Sequence, residues 1–430
     1  MTRVIENELP FIAQSVWNDT ANQVPDCPPL TGKHECDVAI VGGGFTGLAA
    51  ALHLAEAGVN VRLLEAETPG WGASGRNGGQ VNPGLKEDPD TILRRFGPDM
   101  GKRMIDLAGG AGDFVFDLIR RLDIDCAATQ PGWLQPYHDE ESRRIVENRV
   151  KQWEPYGAPM RLLDRAEASE LLGSEAYLGA MVDTRGGHLH PLNYALGLAA
   201  AAQQAGATLH GHSRAERFEQ TGERVVIHTG QGQLTARQLV IGTNGYADRF
   251  AGGIGRTVVP VRSVQVATEP LSAEVFDSIL SQGHSASDSR RLLLYFRRGP
   301  NNSFVMGGRG DYNEKGTERQ FEQLRKASVE LYPQLAGAKW RYKWGGFVAM
   351  TVDHYPHLTK SGSNVWASMG YNGRGVAMAS VMGKVLADAA RGIPENDLPF
   401  PVTPVRPIPF HFMRRYAVAA AVAWARLRDS

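Results

Sequence analysis

The sequence predicts an α/β chain of two domains, one built on a Rossmann-like dinucleotide-binding unit and the other on a mainly antiparallel sheet. Three observations carry that reading. The stretch "VGGGFTGLAAALHLAEAGVNVRLLEAE" from Val41 to Glu67 has strand, glycine turn, helix and strand signals in order. A second helix–strand pair follows Pro191, and alternating runs such as "LLLYFRR" and "SFVMGGR" stand apart from both units. At 430 residues the chain is long enough for two cores.

Taken in order, the opening "MTRVIENELPFIAQSVWNDT" is too polar for a signal peptide. No stretch approaches the roughly 18 uninterrupted apolar residues of a spanning helix. Val38 to Val41 reads as a buried strand. Gly42 would then make the turn, Gly44 would let the backbone reach a pyrophosphate, and Gly47 would let helix and sheet pack closely. The helix N-terminus, with Phe45 and Thr46 in its first turn, would face the phosphates. Leu48, Ala51, Leu52 and Leu54 keep helical spacing up to Gly58. Val59, Val61, Leu63 and Leu64 form the next strand, ending at Glu65 where a ribose acceptor belongs. An acid there disfavours a 2′-phosphate, which leaves NAD and FAD. The loop "GWGASGRNGGQVNPGLK", Gly70 to Lys86, has no periodicity and enough glycine to lie against a flat ligand.

Asp90 to Leu122 reads as helical. Pro191 suits a first helical turn, and Ala195, Leu198, Ala199 and Ala202 carry that helix to Gly206 before the strand "ATLHGHS". "RVVIHTGQGQL" reads as a hairpin, and "QLVIGTNGY" as a separate short strand ending in a glycine turn. Near the end, Val365 to Met369 is predicted as a strand, Gly370 to Gly375 as a turn and Val376 to Ala389 as a helix. Its N-terminal N–H groups and dipole would favour negative charge at that turn.

Charge excludes other classes. Lys plus Arg and Asp plus Glu number 46 each, so no global field recruits nucleic acid or an anionic membrane. Cys27, Cys36 and Cys126 form no C-x-x-C pair, which fits a reducing compartment and points to the cytoplasm. The 12 histidines are scattered without a ligand motif such as H-E-x-x-H, and no metal site is expected. In the tail, Phe412, Met413, Tyr416, Ala420, Trp424 and Leu427 fall on one helical face, with Arg414, Arg415, Arg426 and Arg428 opposite. Such a helix docks on its own protein in the commoner case; subunit pairing and peripheral contact with a membrane, at its inner face, are the alternatives.

The first unit followed by "GASGRNGGQ" resembles the D-amino-acid-oxidase superfamily of FAD-dependent oxidoreductases, above all its bacterial γ-glutamylputrescine oxidase and L-pipecolate oxidase branch. The likeness continues through "GGHLHPLNYALGLAAAAQQAGATLHGHS", "YKWGGFVAMTVDHYPHL" and "MGYNGRGVAMASVMGKVLAD". It implies a discontinuous FAD-binding domain over 1–86, 185–258 and 345–400, a substrate domain over 87–184 and 259–344, and an amphipathic tail at 401–430. It implies FAD contacts from Gly42, Gly44, Phe45, Thr46, Gly47, Glu65 and Ala66, and from Gly72, Ala73, Ser74, Arg76, Asn77, Gly78, Gly79 and Gln80. Ala215, Thr243, Asn244, Gly345, Gly370, Asn372, Gly373, Arg374, Gly375 and Val376 complete that set. Relatives that tether FAD use a His or Cys; here Arg76 and Asn77 occupy the first such place and Gly373 and Arg374 lie near the second, so FAD is expected to be noncovalent.

The implied chemistry is oxidation of a C–N bond of an amine or amino acid to an imine. Tyr295 and Arg297 match the place of substrate-contacting residues and share one side of their strand, where Arg297 would clamp a carboxylate. Tyr371 and Arg374 are the further candidates beside the ring system. Met306 falls near the place of a lysine that assists reaction with oxygen in some relatives, which leaves open a quinone or protein acceptor in place of oxygen. Two other classes use part of the same sequence: an NAD-dependent dehydrogenase, which would not need "GASGRNGGQ", and a non-catalytic FAD-binding protein.

Overall fold

A computed structural model describes residues 14–247, 249–290 and 292–429. Most of the polar opening segment lies outside these residues. Two sheets dominate. The first runs Val402–Thr403, His357–Ser361, Val365–Met369, Gly232–Ile241, Gly32–Val41, Val61–Leu64, Thr208–His210, with Ala215–Thr221 and Arg224–Thr229 attached as a hairpin. Its four central pairings are parallel, as crossover helices require. The helices Phe45–Glu56, Pro191–Gln204 and Gly375–Ala390 cover one face, where Leu48, Leu52, Leu198 and Met382 share a buried core.

The strand Gly232–Ile241 joins two elements that the sequence separates. Its first half pairs antiparallel with Arg224–Thr229, and its second half pairs parallel with Val365–Met369. No turn residue stands between Leu234 and Gln238 to break it. The polar "TARQ" stretch marks where the partner on that side of the strand changes, not where the strand ends.

The second sheet runs Trp340–Met350, Val259–Thr268, Phe304–Arg309, Tyr295–Arg298, Ser285–Ser287, Trp133–Tyr137, Gly179–Asp183, Met160–Leu163. All its pairings are antiparallel except that between Ser285–Ser287 and Trp133–Tyr137. Its back packs on the helix Glu314–Leu331 through Phe296, Phe304, Phe321 and Tyr332. Trp340–Met350 passes through position 345 without a break, and Val402–Thr403 adds an edge to the first sheet.

The tail forms the helix Arg414–Asp429. Among the described residues nothing covers the start of its apolar face: Phe412 and Tyr416 are each 75% exposed, and Phe410 before them is 74% exposed. The side chains of Trp424, Arg426, Leu427 and Arg428 lie outside the described residues. Among the described residues no helix is long and apolar enough to cross a membrane.

The first glycine turn is among the tightest joints in the fold. A Cβ on Gly47 would sit 2.0 Å from the carbonyl oxygen of Gly42, a backbone atom with no room to yield. Gly47→Ala is therefore expected to lose about 3 kcal/mol of stability, read as a lower urea midpoint with unchanged m-value.

Candidate active site

The parallel strands of the first sheet end at Val41, Leu64, Ile241 and Met369, and all four turn into one cavity of about 810 Å³. That is where open parallel sheets place ligands. Val261, Ser263 and Gln265, on one face of Val259–Thr268, form part of its roof, joined by Tyr295, Gly308 and Phe347. The cavity thus lies between the two sheets.

Gly42 makes the turn with φ +108°, where a Cβ would also meet the backbone of Gly242 at 3.1 Å. The Glu65 carboxylate accepts from Gly43 N at 2.6 Å and from Glu67 N at 2.9 Å, which fixes it at the cavity edge. Burial raises its pKa while those two N–H groups oppose the rise. A carboxylate has about four acceptor positions, so two remain for ribose hydroxyls. Ser74 Oγ accepts from Phe45 N at 2.9 Å, tying the glycine-rich loop to the first helical turn. A Cβ on Gly44 would meet that same hydroxyl at 2.8 Å.

At the other end, the helix Gly375–Ala390 has no side-chain cap, and Gly373, Gly375 and Val376 line the cavity. Its first N–H groups are thus available to an acceptor there. Asn244 Oδ1 accepts from Gly370 N at 2.9 Å, and Asn372 Oδ1 accepts from Thr351 N at 2.9 Å; together they brace the turn. Tyr371 lines the cavity, but its hydroxyl is 2.8 Å from Thr46 Oγ1 and donates to Ser368 O at 3.3 Å. Burial pushes this phenol up to about 12, so it stays protonated. Tyr295 is 2.8 Å from Ser263 Oγ and is likewise raised by burial. Neither phenol is a base at neutral pH.

Of the residues anticipated for the cofactor, the cavity brings together all but Gly47, Gly79, Gly345 and Gly370. Gly47 supports the turn from below. Gly345 is packed within the second sheet, where a Cβ would lie 2.7 Å from Ser263 O, and Gly346 lines the cavity instead. Gly370 would meet Thr351 Cγ2 at 2.2 Å.

Arg297 requires a correction, because its guanidinium does not reach the cavity. Nη1 donates to Leu189 O at 2.6 Å and to Gly78 O at 3.3 Å, Nε donates to Arg298 O at 2.7 Å, and the group lies 5.3 Å from the Trp17 ring. It lines a separate recess with His188 and His190. Tyr295 and Arg297 do share a face, but the Gly78–Gly79 loop stands between them. A Cβ on Gly78 would meet Tyr295 at 3.1 Å, and one on Gly79 would meet Arg297 Nη1 at 2.6 Å. Burial pulls Arg297 down to about 9, which keeps it charged at neutral pH.

Met306 is also turned away. It is fully buried in the core behind the second sheet, and Gly307 is the residue of that strand facing Tyr295. Sequence reading missed Lys86, Trp133, Gln135, Arg149, Gln265 and Phe347, all in the cavity lining. The i, i+2 spacing of Trp133 and Gln135 in "GWLQPY" was the available signal.

Comparison with known proteins defines the class. The family described as FAD dependent oxidoreductase (DAO) matches residues 37–389, and the chain belongs to it. Gamma-glutamylputrescine oxidoreductase of Escherichia coli (strain K12) is 32% identical over 96% of this chain and 98% of its own length. A probable oxidoreductase, OrdL, of Rhizobium meliloti (strain 1021) is 35% identical over 88% of each. The crystal structure of glycine oxidase from Geobacillus kaustophilus superposes with a TM-score of 0.71 over 86% of this chain and 99% of that one, at 24% identity, a likeness of fold. The protein is therefore an enzyme, an FAD-dependent oxidoreductase acting on amines or amino acids. Its residues fit FAD: glycines where side chains would collide, an acid at the ribose end, and an uncapped helix at the far end.

Because Arg297 ties Gly78 O of the glycine-rich loop to Leu189 O, Arg297→Met is expected to lower the flavin-to-protein ratio severalfold. Substrate affinity of the remaining holoenzyme should stay within about twofold, since lost loop packing does not remove a substrate contact. Absorbance at the flavin band and anaerobic titration measure the two separately.

Proposed function

We propose that the enzyme oxidises the C–N bond of a secondary or acylated amine, of the L-pipecolate or γ-glutamylputrescine type, to an imine. The near full-length similarity to the Escherichia coli oxidoreductase supports that substrate range most strongly. Bound FAD would supply the two-electron acceptor. We divide the chain as its two sheets suggest, with FAD held by 1–86, 185–258 and 345–400 and substrate met by 87–184 and 259–344.

In this reading Glu65 orients the ribose, Ser74 and Phe45 hold the loop beside the pyrophosphate, and the N-terminus of Gly375–Ala390 favours negative charge at the ring's edge. Tyr295 walls the alkyl part of the substrate, and Arg374 stands over Trp133 at the same end. With both phenols held protonated, the amine gives its proton to water and orientation does most of the work. We place the enzyme in the cytoplasm, its exposed tail helix a contact for the inner face of the membrane.

The acceptor we propose is a quinone or a protein, because Met306, near the place of the oxygen-assisting lysine, is buried in the core and its neighbour Gly307, which faces Tyr295, carries no side chain. Anaerobic addition of an amine panel should bleach the yellow protein with at least one member. Reduced enzyme should then reoxidise faster with a soluble quinone than with air; rapid bleaching and equally rapid air reoxidation would make it an oxidase.

We propose that FAD is held noncovalently, a reading supported by a cavity lining with neither Cys nor His among the described residues. Burial also raises Cys36 and Cys126 to about 12, so neither is a ready nucleophile. Acid precipitation should leave the yellow colour in the supernatant, and flavin in the pellet would contradict it.

A further inference from the structure

Behind the Gly78–Gly79 loop lies a second recess, of about 470 Å³, on the side away from the cofactor cavity. Arg297 lines it and is only 4% exposed. A guanidinium carries five N–H donors. Here Nε is spent on Arg298 O, and the two hydrogens of Nη1 on Leu189 O and Gly78 O. Nη2 makes no hydrogen bond among the described residues. Trp17, whose ring lies 5.3 Å from that guanidinium, lines the recess as well, and its Nε1 is buried without a partner.

Nothing on this wall neutralises the charge. Among the described residues no Asp or Glu lines the recess. Arg298 beside it donates Nε to Ile279 O at 2.7 Å, and its Nη2 reaches the solvent-facing Asp277 at 3.4 Å. His188 and His190 share the lining, and both are neutral. His188 Nε2 is 2.8 Å from Gly283 O, a carbonyl that only accepts, so the ring proton sits there. His190 Nδ1 accepts from Asn193 N at 3.1 Å, which leaves its proton on Nε2, 3.0 Å from Thr20 Oγ1. Burial first, and the Arg297 charge second, pull both rings below the ordinary histidine range, His190 to about 4. His188 Nδ1 is the one orphaned acceptor of the lining, set against the indole N–H and the two hydrogens of Nη2.

A buried cation without a counter-charge is costly, and a bound anion offsets that cost. The remaining walls select the body of the anion. Phe276, Pro131, Pro300 and the Trp17 ring are apolar, and the volume is that of a small-molecule site. A hydrated inorganic ion would gain nothing from those surfaces. We propose that this recess binds a small organic acid, an apolar body carrying one carboxylate, at a site distinct from that of amine oxidation. The carboxylate would meet the guanidinium that also holds Gly78 O, so the acid acts from outside the substrate cavity on the loop that lines it.

The test is calorimetric titration of the purified holoenzyme with phenylacetate, phenylacetamide and inorganic phosphate. The acid should bind at least tenfold more tightly than either of the others. Gln282 stands exposed on the rim of the recess, so its charge can be changed without touching Arg297. Gln282→Glu should weaken phenylacetate at least fivefold at unchanged flavin content, and Gln282→Lys should bind it at least as tightly as the parent. Equal affinity for acid and amide, tighter binding of phosphate, or no measurable binding of the acid would overturn the proposal. So would a Gln282→Glu variant that binds the acid like the parent, which would put the acid in another cavity, or an equal loss in both variants, which would make the amide and not the charge the cause. None of these outcomes depends on turnover.

Discussion

The structure depends on the backbone contact between Gly42 and Gly47. The Gly42 carbonyl lies where a Cβ of Gly47 would be, so helix and strand meet with nothing between them. That closeness places the first helical turn at the mouth of the cavity and brings Gly43 N within 2.6 Å of Glu65. It also lets a second helix approach: a Cβ on Gly383 would lie 2.6 Å from Thr46 O and 2.7 Å from Ala49 Cβ. The helices at the two ends of the cofactor site are thereby packed on each other. Positions that would bind pyrophosphate and ring edge are set by one rigid contact, not by flexible loops.

The glycine-rich loop is held from several directions. Ser74 reaches down to the cradle helix, and Gln265 Nε2 and Trp344 Nε1 both donate to Arg76 O, at 2.6 and 2.9 Å. Arg297 takes Gly78 O from behind. The loop is therefore the mechanical link between the sheets, and its glycines serve two needs. At Gly78 and Gly79 the small residue makes room for Tyr295 and Arg297; at Gly72 the nearest atoms, those of the Tyr246 ring, are no closer than 3.4 Å.

Elements whose signal is local were legible in the sequence. The cradle, its helix, Glu65, and the strand–turn–helix from Val365 onward each combine periodicity with a terminating glycine, and each folds where that pattern puts it. The fate of Arg297 was not legible. Alternation gives the face on which a side chain emerges, and it gave that face correctly; it says nothing of a loop, more than two hundred residues away in sequence, that divides that face into two compartments. Met306 failed for the related reason that one step along a strand reverses the side. Lys86 and Arg149 were hidden because they lie in a loop and on a helix whose own patterns are unremarkable, and only the pairing of Arg149 with Asp88 and Gln135 brings them to the cavity.

The distribution of charge follows from this geometry. The chain is neutral overall, with 46 basic and 46 acidic residues, yet its cavity is not. At the Glu65 end, a carboxylate held by two backbone N–H groups keeps acceptor positions free for hydroxyls. At the opposite end an uncapped helix, Lys86 and Arg374 present positive charge. Separating the signs along one cavity would orient an unsymmetrical ligand without any long-range field, because each end works within a few ångströms. A chain with no net charge and a cavity with polar ends are thus compatible: balance over the whole sequence sets no sign for the few groups that one cavity brings together.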